Sequence, residues 1–396
     1  MPGLSTPTAL REKRTTAGDA TFSGYMTALA QRVPRLLALS LRPIAIFVAS
    51  RIGTLLVAGA VAYDQHTPLN RSLVFWDSSW YLRVASQGYP SAVPTGHGNG
   101  AQSTLGFFPL LPAMIRVFHD VTGVSFTRSG LLVTFGAGLV AAVLVWWLLR
   151  EHFDVAGADQ GTALVFFSPG AFVLSMIYSE PVMIAFAAAA MIALGRRRWL
   201  LAGVAAAFAT AADPVGSAVV VLCLVAAAKA ILARREWESL VAPVLAPAGI
   251  VAFFAFLWVR TGTPLAYFIA QKRGWQTTSF GDAIPNQISQ VWQHGVAYPD
   301  YTIKLASLGV CLVLLVAFLW TRPPLPLTAF VLTVFVFAAL SPVIGFTPRI
   351  ALRAFPVLGF VGAWLRGGWF RIVFGLAVLA MAAVAILSMG SLGFTP

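Results

Sequence analysis

Residues 129–149 read SGLLVTFGAGLVAAVLVWWLL and contain no charged side chain. An α-helix of about 20 such residues is long enough to cross the hydrocarbon core of a bilayer. Comparable apolar runs recur along the chain, which has 396 residues, 58% of them hydrophobic and 10% charged. A soluble protein of ordinary composition is about one quarter charged. The sequence therefore predicts an all-α, polytopic membrane protein.

The apolar runs predict about 11 transmembrane helices. They lie near residues 37–62, 129–149, 161–179, 181–195, 199–212, 216–233, 240–259, 304–320, 325–343, 350–365 and 372–390. The apolar segment 107–116 is short, contains Pro109 and Pro112, and ends at Arg116. We therefore predict an interfacial or re-entrant helix there. Residues 1–36 are polar and are predicted to form a cytoplasmic tail, followed by a single transmembrane domain over 37–396.

Positive charge is concentrated in the loops that this topology places inside, and Arg196-Arg197-Arg198 is the densest group. Lys and Arg accumulate in the cytoplasmic loops of membrane proteins. This rule predicts a cytoplasmic N-terminus in the plasma membrane and two large outer segments, 63–128 and 260–303. It also accounts for the net charge of +13, so membrane lipids are expected as partners and nucleic acid is not.

The sequence indicates neither a cofactor nor a metal site. Cys223 and Cys311 both lie within apolar spans, which is typical of small core residues rather than of a disulfide. The histidines do not have the spacing of metal ligands.

Asp77 is the strongest catalytic candidate. The stretch Trp76-Asp77-Ser78-Ser79-Trp80-Tyr81 follows the first span directly and places one carboxylate among aromatic rings. Aromatic residues are common at the membrane interface, and this explains the tryptophans without a function. The acid needs another explanation, because partial desolvation would raise its pKa towards that of a general base.

Four more polar or aromatic side chains fall on the same predicted outer face: Glu180, Asp213, Trp275 and Arg349. Each has a structural alternative. Glu180 and Asp213 precede prolines and are suited to helix starts, Arg349 and Arg353 to snorkelling, and Trp275 to the interfacial belt. Their position on one face nevertheless favours a single extracytoplasmic site at the outer rim of the bundle.

Four blocks of sequence resemble, in order, the PIG-V-type mannosyltransferases, which are GT-C glycosyltransferases that take mannose from a polyprenyl-phosphate carrier. The blocks are Trp76-Asp77 to Tyr81 with Gly88-Tyr89 and Phe107-Phe108-Pro109-Leu110; Phe167-Ser168-Pro169 with Tyr178-Ser179-Glu180; Gly262-Thr263-Pro264-Leu265-Ala266-Tyr267 with Gln271 and Trp275; and Pro348-Arg349 with Phe355-Pro356. This chain departs from the family pattern in having Trp80 in place of a frequent His, Asp213 in place of a common Arg, and Ile350 in place of Tyr.

The resemblance implies a GT-C-like bundle and transfer of mannose, with inversion, from polyprenyl-phosphate mannose to an extracytoplasmic glycolipid or lipoglycan. Asp77 would be the base. The residues expected to bind substrate are Trp76, Tyr81, Arg83, Glu180, Gln271, Trp275 and Arg349.

A flippase or transporter of a lipid carrier or solute is the alternative from another class. Transport sites usually lie near the bilayer midplane and contain ionisable residues or broken helices there. Arg51, within the first predicted span, is the residue that would fit this alternative.

Overall fold

The computed structural model describes residues 39–275, 279, 281–294, 299–342, 345–390 and 394. Within these ranges all regular structure is helical. The predicted tail, residues 1–36, lies outside the described residues.

The α-helices follow one another along nearly the whole described chain. They are α1 (Leu39–Asp64), α2 (Leu69–Leu73), α3 (Asp77–Gln87), α4 (Leu110–Thr122), α5 (Phe126–Arg150), α6 (Val155–Phe166), α7 (Glu180–Gly195), α8 (Trp199–Ala212), α9 (Ala218–Arg234), α10 (Val241–Leu245), α11 (Ala248–Thr261), α12 (Ala266–Gly274), α13 (Ala283–His294), α14 (Pro299–Trp320), α15 (Leu325–Leu340), α16 (Pro348–Arg353), α17 (Phe355–Trp364) and α18 (Gly367–Gly390). Short 3-10 helices occupy Gly98–Ala101, Thr104–Gly106, Pro169–Ser175, Pro214–Ser217 and Trp237–Leu240.

The prediction of a polytopic helical membrane protein is confirmed. Among the described residues, six helices are long and apolar enough to cross a membrane, and the pair Pro169–Ser175 and Glu180–Gly195, bent by 108°, provides a possible seventh crossing. Helices α8, α15 and α17 are apolar but shorter. Each predicted span coincides with helical structure.

Continuous helices over 161–179 and 350–365 were wrong predictions, because both spans are interrupted. The first divides into α6 and the 3-10 helix Pro169–Ser175, and the second into α16 and α17. Proline lacks an N–H and disfavours helical backbone at the residue before it. Pro169 and Pro356 therefore account for the two breaks.

Arg51 satisfies the backbone that the first of these breaks leaves unpaired. Its side chain is 2% exposed. Its Nη1 donates to the carbonyl of Ala171 at 2.7 Å and to Ser175 Oγ at 3.0 Å, and its Nη2 donates to the carbonyl of Phe166 at 3.1 Å. Carbonyls within a membrane must find protein donors. Arg51 therefore connects α1 to the end of α6 and to the turn that follows.

The predicted interfacial helices are present in the segment between α1 and α5. Helix α4 contains 13 residues, too few to span a bilayer, and it packs Leu111 and Ile115 inwards. Arg116 on α4 donates to the carbonyls of Ala85 and Ser86, both at 3.2 Å. These are the last carbonyls of α3, where a cation is favoured by the helix dipole.

The two large outer segments pack against one another. Leu105 and Phe108 from the first share a small apolar core with Phe253, Leu257, Ala266 and Ala270, which belong to α11 and α12. Arg260 Nε donates to the carbonyl of Tyr89 at 3.1 Å. The contacts form a roof over one end of the bundle.

Replacing Arg51 with Met should lower the melting temperature of the purified protein, because the carbonyls of Phe166 and Ala171 lose their donors. A buried acceptor without a partner costs about 1–3 kcal/mol. The matched control is Arg42→Met on the same helix, which removes the exposed pair Arg42–Asp159 (2.6 Å) and should cost about 1 kcal/mol or less. Equal melting temperatures for the two variants would contradict the role of Arg51.

Candidate active site

Asp77 begins helix α3 directly after a strained residue. Trp76 has φ 51° and ψ −127°, a conformation that costs a non-glycine residue about 1–3 kcal/mol and is concentrated at functional sites. The following turn is attached to the bundle, because Ser78 Oγ accepts the backbone N–H of Ile177 at 3.2 Å. The carboxyl of Asp77 therefore has a fixed position at the rim.

A buried ion pair lies beside Asp77. Arg349 from α16 donates to Glu180 Oε1 through Nε at 2.7 Å and through Nη2 at 2.6 Å. Its Nη1 faces Asp77 Oδ2 at 3.4 Å, and its guanidinium carbon lies 4.7 Å from the centre of the Tyr178 ring. Arg349 thus connects α16, α7 and α3 through one side chain.

Arg353 extends this network on the same face of α16, four residues later. It lies 3.1 Å from Glu180 Oε1 and 3.1 Å from Asp213 Oδ2. Asp213 Oδ2 also accepts from Ser179 Oγ at 2.7 Å, and Ser179 Oγ accepts from the Tyr81 hydroxyl at 3.0 Å. Two arginines therefore face three carboxylates, a net charge of −1 with every group ionised.

Asp213 also caps the 3-10 helix Pro214–Ser217, because its Oδ1 accepts the N–H of Val215 at 2.8 Å. Glu180 is likewise the first residue of α7. Both acids therefore lie at helix starts, as the structural interpretation predicts, and both also pair with the arginines of α16.

The three acids differ in their access to solvent. The side chains of Glu180 and Asp213 are 0% and 1% exposed, whereas that of Asp77 is 32% exposed. Burial by the surrounding protein raises the pKa of the Asp77 carboxyl, and Arg349 opposes this by lowering it. Asp77 therefore combines access with a raised basicity.

Several polar atoms close to this network are buried without a hydrogen-bond partner among the described residues. They are Trp76 Nε1, Tyr178 Oη, Glu180 Oε2 and Trp275 Nε1. A buried donor or acceptor usually has a partner. Two of these atoms belong to Tyr178 and Glu180, which contact Arg349, and a third belongs to Trp76, which precedes Asp77.

An aromatic cluster continues from Asp77 along α3. Trp80 stacks on Phe107 with ring centres 5.7 Å apart, and Trp275 meets Trp80 edge-on at 5.3 Å. The guanidinium of Arg83 lies 4.5 Å from the Trp80 ring. Gln271 Nε2 donates to the carbonyl of Gly106 at 3.2 Å. These contacts fix the roof to α3.

The structure brings Asp77, Trp76, Glu180 and Arg349 together as predicted from the outer-face motifs. Trp275 and Gln271 lie in the aromatic roof. Tyr81 is 5% exposed and its hydroxyl bonds within the protein, while Arg83 contacts Trp80 and not the carboxylates. Arg353 was considered beside Arg349 from the sequence but was not included among the residues expected to bind substrate. Its spacing of four residues from Arg349, which places both on one helical face, was the available signal.

Within the described ranges, His, Cys, Asp and Glu side chains form no group of three suited to hold a metal ion.

Gly170 allows α16 to lie close enough to present both arginines. A Cβ on Gly170 would be 2.5 Å from the Pro348 carbonyl oxygen and 2.8 Å from Arg349 Cα. Both are backbone atoms, so a larger residue would displace the helix itself. The contact between the 3-10 helix Pro169–Ser175 and α16 therefore sets the position of Arg349.

The solved structure of ArnT from Cupriavidus metallidurans bound to undecaprenyl phosphate is similar to this chain, with a TM-score of 0.52 and 17% sequence identity over 85% of this chain and 63% of ArnT. The apo oligosaccharyltransferase from Archaeoglobus fulgidus gives a TM-score of 0.49 and 14% identity over 88% of this chain and 56% of its own. This chain thus spans less than two thirds of either protein's length.

No family model matches the sequence, and no curated protein matches it either. The similarity to ArnT shows the fold, and the expectation of a GT-C-like helical membrane bundle is confirmed.

Replacing Gly170 with Ala should displace α16 and reduce activity by at least tenfold, because a shift of about 1 Å at a catalytic group can cost two orders of magnitude. The assay is the transfer reaction proposed below, and ligand-free melting temperature is measured alongside it. Gly136→Ala on α5 is the matched control, since a Cβ there meets no atom within 4 Å. Wild-type activity in Gly170→Ala would show that this close contact does not set the site geometry.

Proposed function

We propose that this protein is a membrane glycosyltransferase that moves a mannosyl group from a polyprenyl-phosphate donor to the hydroxyl of an extracytoplasmic acceptor. The observation that carries the proposal is the pairing of one solvent-accessible carboxylate, Asp77, with a buried arginine, Arg349, within a GT-C-like fold. Glu180 and Asp213 are sequestered by arginines, so Asp77 is the acid that an incoming acceptor can reach.

Asp77 is the general base in this reaction. Its carboxylate takes the proton of the acceptor hydroxyl while the acceptor oxygen attacks the anomeric carbon. The bond from that carbon to the phosphate oxygen breaks, its electron pair goes to the phosphate, and the configuration inverts. A carboxyl whose pKa is raised by burial is a better base than an exposed one.

Arg349 is the group that meets the departing phosphate. Nε and Nη2 of its guanidinium are held by Glu180, which leaves the Nη1 edge on the Asp77 side. A planar guanidinium suits a phosphate oxygen, and a charge-assisted hydrogen bond there favours the developing negative charge. Glu180 and Arg353 act as positioning residues, because Glu180 holds Arg349 and Arg353 in turn pairs with Glu180 and Asp213.

The roof supplies the remaining recognition. The buried indole N–H groups of Trp76 and Trp275 lack partners among the described residues and are suited to donate to sugar or phosphate oxygens. The ring of Trp80 is already in contact with Phe107 and with the guanidinium of Arg83. Trp275 is therefore a better candidate than Trp80 for contact with substrate, whereas Tyr81 and Arg83 support the site from behind.

Different observations support the lipid carrier and the sugar of the proposed donor. ArnT, whose fold is similar, is bound to undecaprenyl phosphate, and this supports a polyprenyl-phosphate donor here. Mannose is supported by the four sequence blocks that resemble the PIG-V-type enzymes. A glycolipid or lipoglycan acceptor on the outer side follows from the predicted orientation, with the N-terminus inside.

A transporter is the second candidate, and the environment of Arg51 argues against it. This arginine is bound by protein carbonyls and not by a midplane acid, so it stabilises a helix break rather than marking a pathway. The acids of the candidate site, Asp77, Glu180 and Asp213, instead lie together at one end of the bundle.

Replacing Asp77 with Asn should lower transfer by about 10²–10⁴-fold, the usual contribution of a general base. The measurement uses purified protein in liposomes, radiolabelled polyprenyl-phosphate mannose and an envelope glycolipid extract as acceptor. Asp120→Asn is the matched control, because Asp120 lies in the same outer segment and pairs only with Arg116 on the surface. Undiminished transfer by Asp77→Asn excludes Asp77 as the base, and donor translocation without any product would favour the transporter.

The pH profile should fall on its acid side as Asp77 becomes protonated, at a higher pH than for an ordinary aspartate, because its pKa is raised. Arg353 lowers the pKa of Asp77 through space without contacting it. Arg353→Gln should therefore move the acid limb of kcat/KM to higher pH. Arg128→Gln, which removes an exposed arginine, should leave the limb unchanged. If the acid limb moves to lower pH in Arg353→Gln, the limb reports the titration of a group other than Asp77.

A further inference from the structure

A cavity lies at the end of the bundle opposite Asp77. Helix α7 begins at Glu180 in the candidate active site, and its 16 residues extend about 24 Å at 1.5 Å per residue. Its last residue, Gly195, lines a cavity of about 320 Å³ between the ends of α5, α7 and α9 and the starts of α8 and α15.

The cavity changes from apolar to cationic along its depth. Leu148, Met191 and Leu222 line it towards the centre of the bundle, and Lys229 and Arg234 line it towards the end of α9. Leu222 and Lys229 are two turns apart on α9, about 10 Å. The polarity of the cavity lining therefore matches that of one bilayer leaflet. Its deep part is apolar like the hydrocarbon region, and its opening, the mouth, is charged like the headgroup region.

The mouth carries an excess of positive charge. Arg197 and Arg234 share the carboxylate of Glu236, the latter at 2.5 Å, and Arg196 binds Glu151 at 2.9 Å. Lys229 makes no ion pair with any described residue. Four cations thus face two carboxylates, which leaves a net charge of +2 with one ammonium uncompensated.

An apolar groove of about 430 Å³ lies on the other side of Lys229. Apart from Lys229, it is lined by Val225, Ala228, Leu232, Ala233 and Leu325. Lys229 therefore lies between the cavity and the groove, which are separated by helix α9.

We propose that this end of the bundle binds one diacyl phospholipid with an acidic headgroup. The phosphate lies against Lys229 and the neighbouring mouth arginines, one acyl chain enters the cavity, and the other follows the groove. A free phosphate would bind Lys229 but would occupy neither the cavity nor the groove. A lipid with one acyl chain would fill either the cavity or the groove and would leave the other to the surrounding bilayer lipids. The inference is independent of the proposed function, because it concerns the opposite face.

The test measures lipid binding to the purified full-length chain by native mass spectrometry in detergent. Phosphatidylglycerol, phosphatidylcholine, undecaprenyl phosphate and inorganic phosphate are titrated separately. Lys229→Ala should weaken phosphatidylglycerol binding by roughly fivefold, the effect of about one surface lysine on anionic lipid. Lys229→Arg should retain it. Arg371→Ala is the matched control, since Arg371 is an exposed cation on α18 that does not line the cavity.

Ala226→Phe gives an independent measurement, because Ala226 lines the cavity but not the groove. Filling the cavity should also weaken phosphatidylglycerol binding while leaving the charge of the mouth intact. Equal losses in Lys229→Ala and Arg371→Ala would overturn the proposal. It would equally be overturned by preferred binding of phosphatidylcholine, undecaprenyl phosphate or inorganic phosphate, or by an Ala226→Phe variant that folds and binds like the wild type.

Discussion

The buried pair between Arg349 and Glu180 is the interaction on which the arrangement of the outer end depends. Removing two charges from water is costly, and the attraction between them offsets that cost only in good geometry with further hydrogen bonds. Here two guanidinium nitrogens converge on one carboxylate oxygen at 2.7 and 2.6 Å. Because the loss of one partner would strand a buried charge, the pair fixes the distance between α16 and α7. The position of Asp77 relative to Arg349 follows from it.

The site is built where helices are interrupted. Glu180 follows the bend after Pro169–Ser175, Asp213 precedes Pro214–Ser217, and Arg349 lies in the short helix α16. Interrupted helices expose carbonyls that must be satisfied inside a membrane. Arg51 provides donors at one break, and Thr210 Oγ1 donates to the Ala246 carbonyl at 2.9 Å near another. The irregular backbone that presents the polar residues is thus stabilised by side chains that take no part in chemistry.

The sequence predicted most of the helices, but it predicted neither the breaks in the spans nor the contacts within the candidate site. Hydropathy placed α8 at its observed bounds, because an apolar run between polar residues has few other solutions in a membrane. It could not show that Arg349 meets Glu180, since these residues are 169 positions apart and their contact depends on Gly170. Tyr81 illustrates a second limit. Its motif predicted contact with substrate, whereas its hydroxyl is used to orient Ser179 and, through it, Asp213.

Asp213 stands where the PIG-V-type enzymes that the sequence resembles commonly have an arginine, and these contacts give the difference a physical meaning. An arginine at this position would stand beside Arg353 and Arg349 and repel both, whereas Asp213 accepts a hydrogen bond from Arg353 at 3.1 Å. The negative charge of Asp213 therefore stabilises the pair of arginines, whereas an arginine at this position would add a third positive charge. As a consequence, the positive charge available to a phosphate is concentrated on the edge of Arg349 that faces Asp77. In the reaction proposed above, the base and the cation for the leaving group thus share one small region.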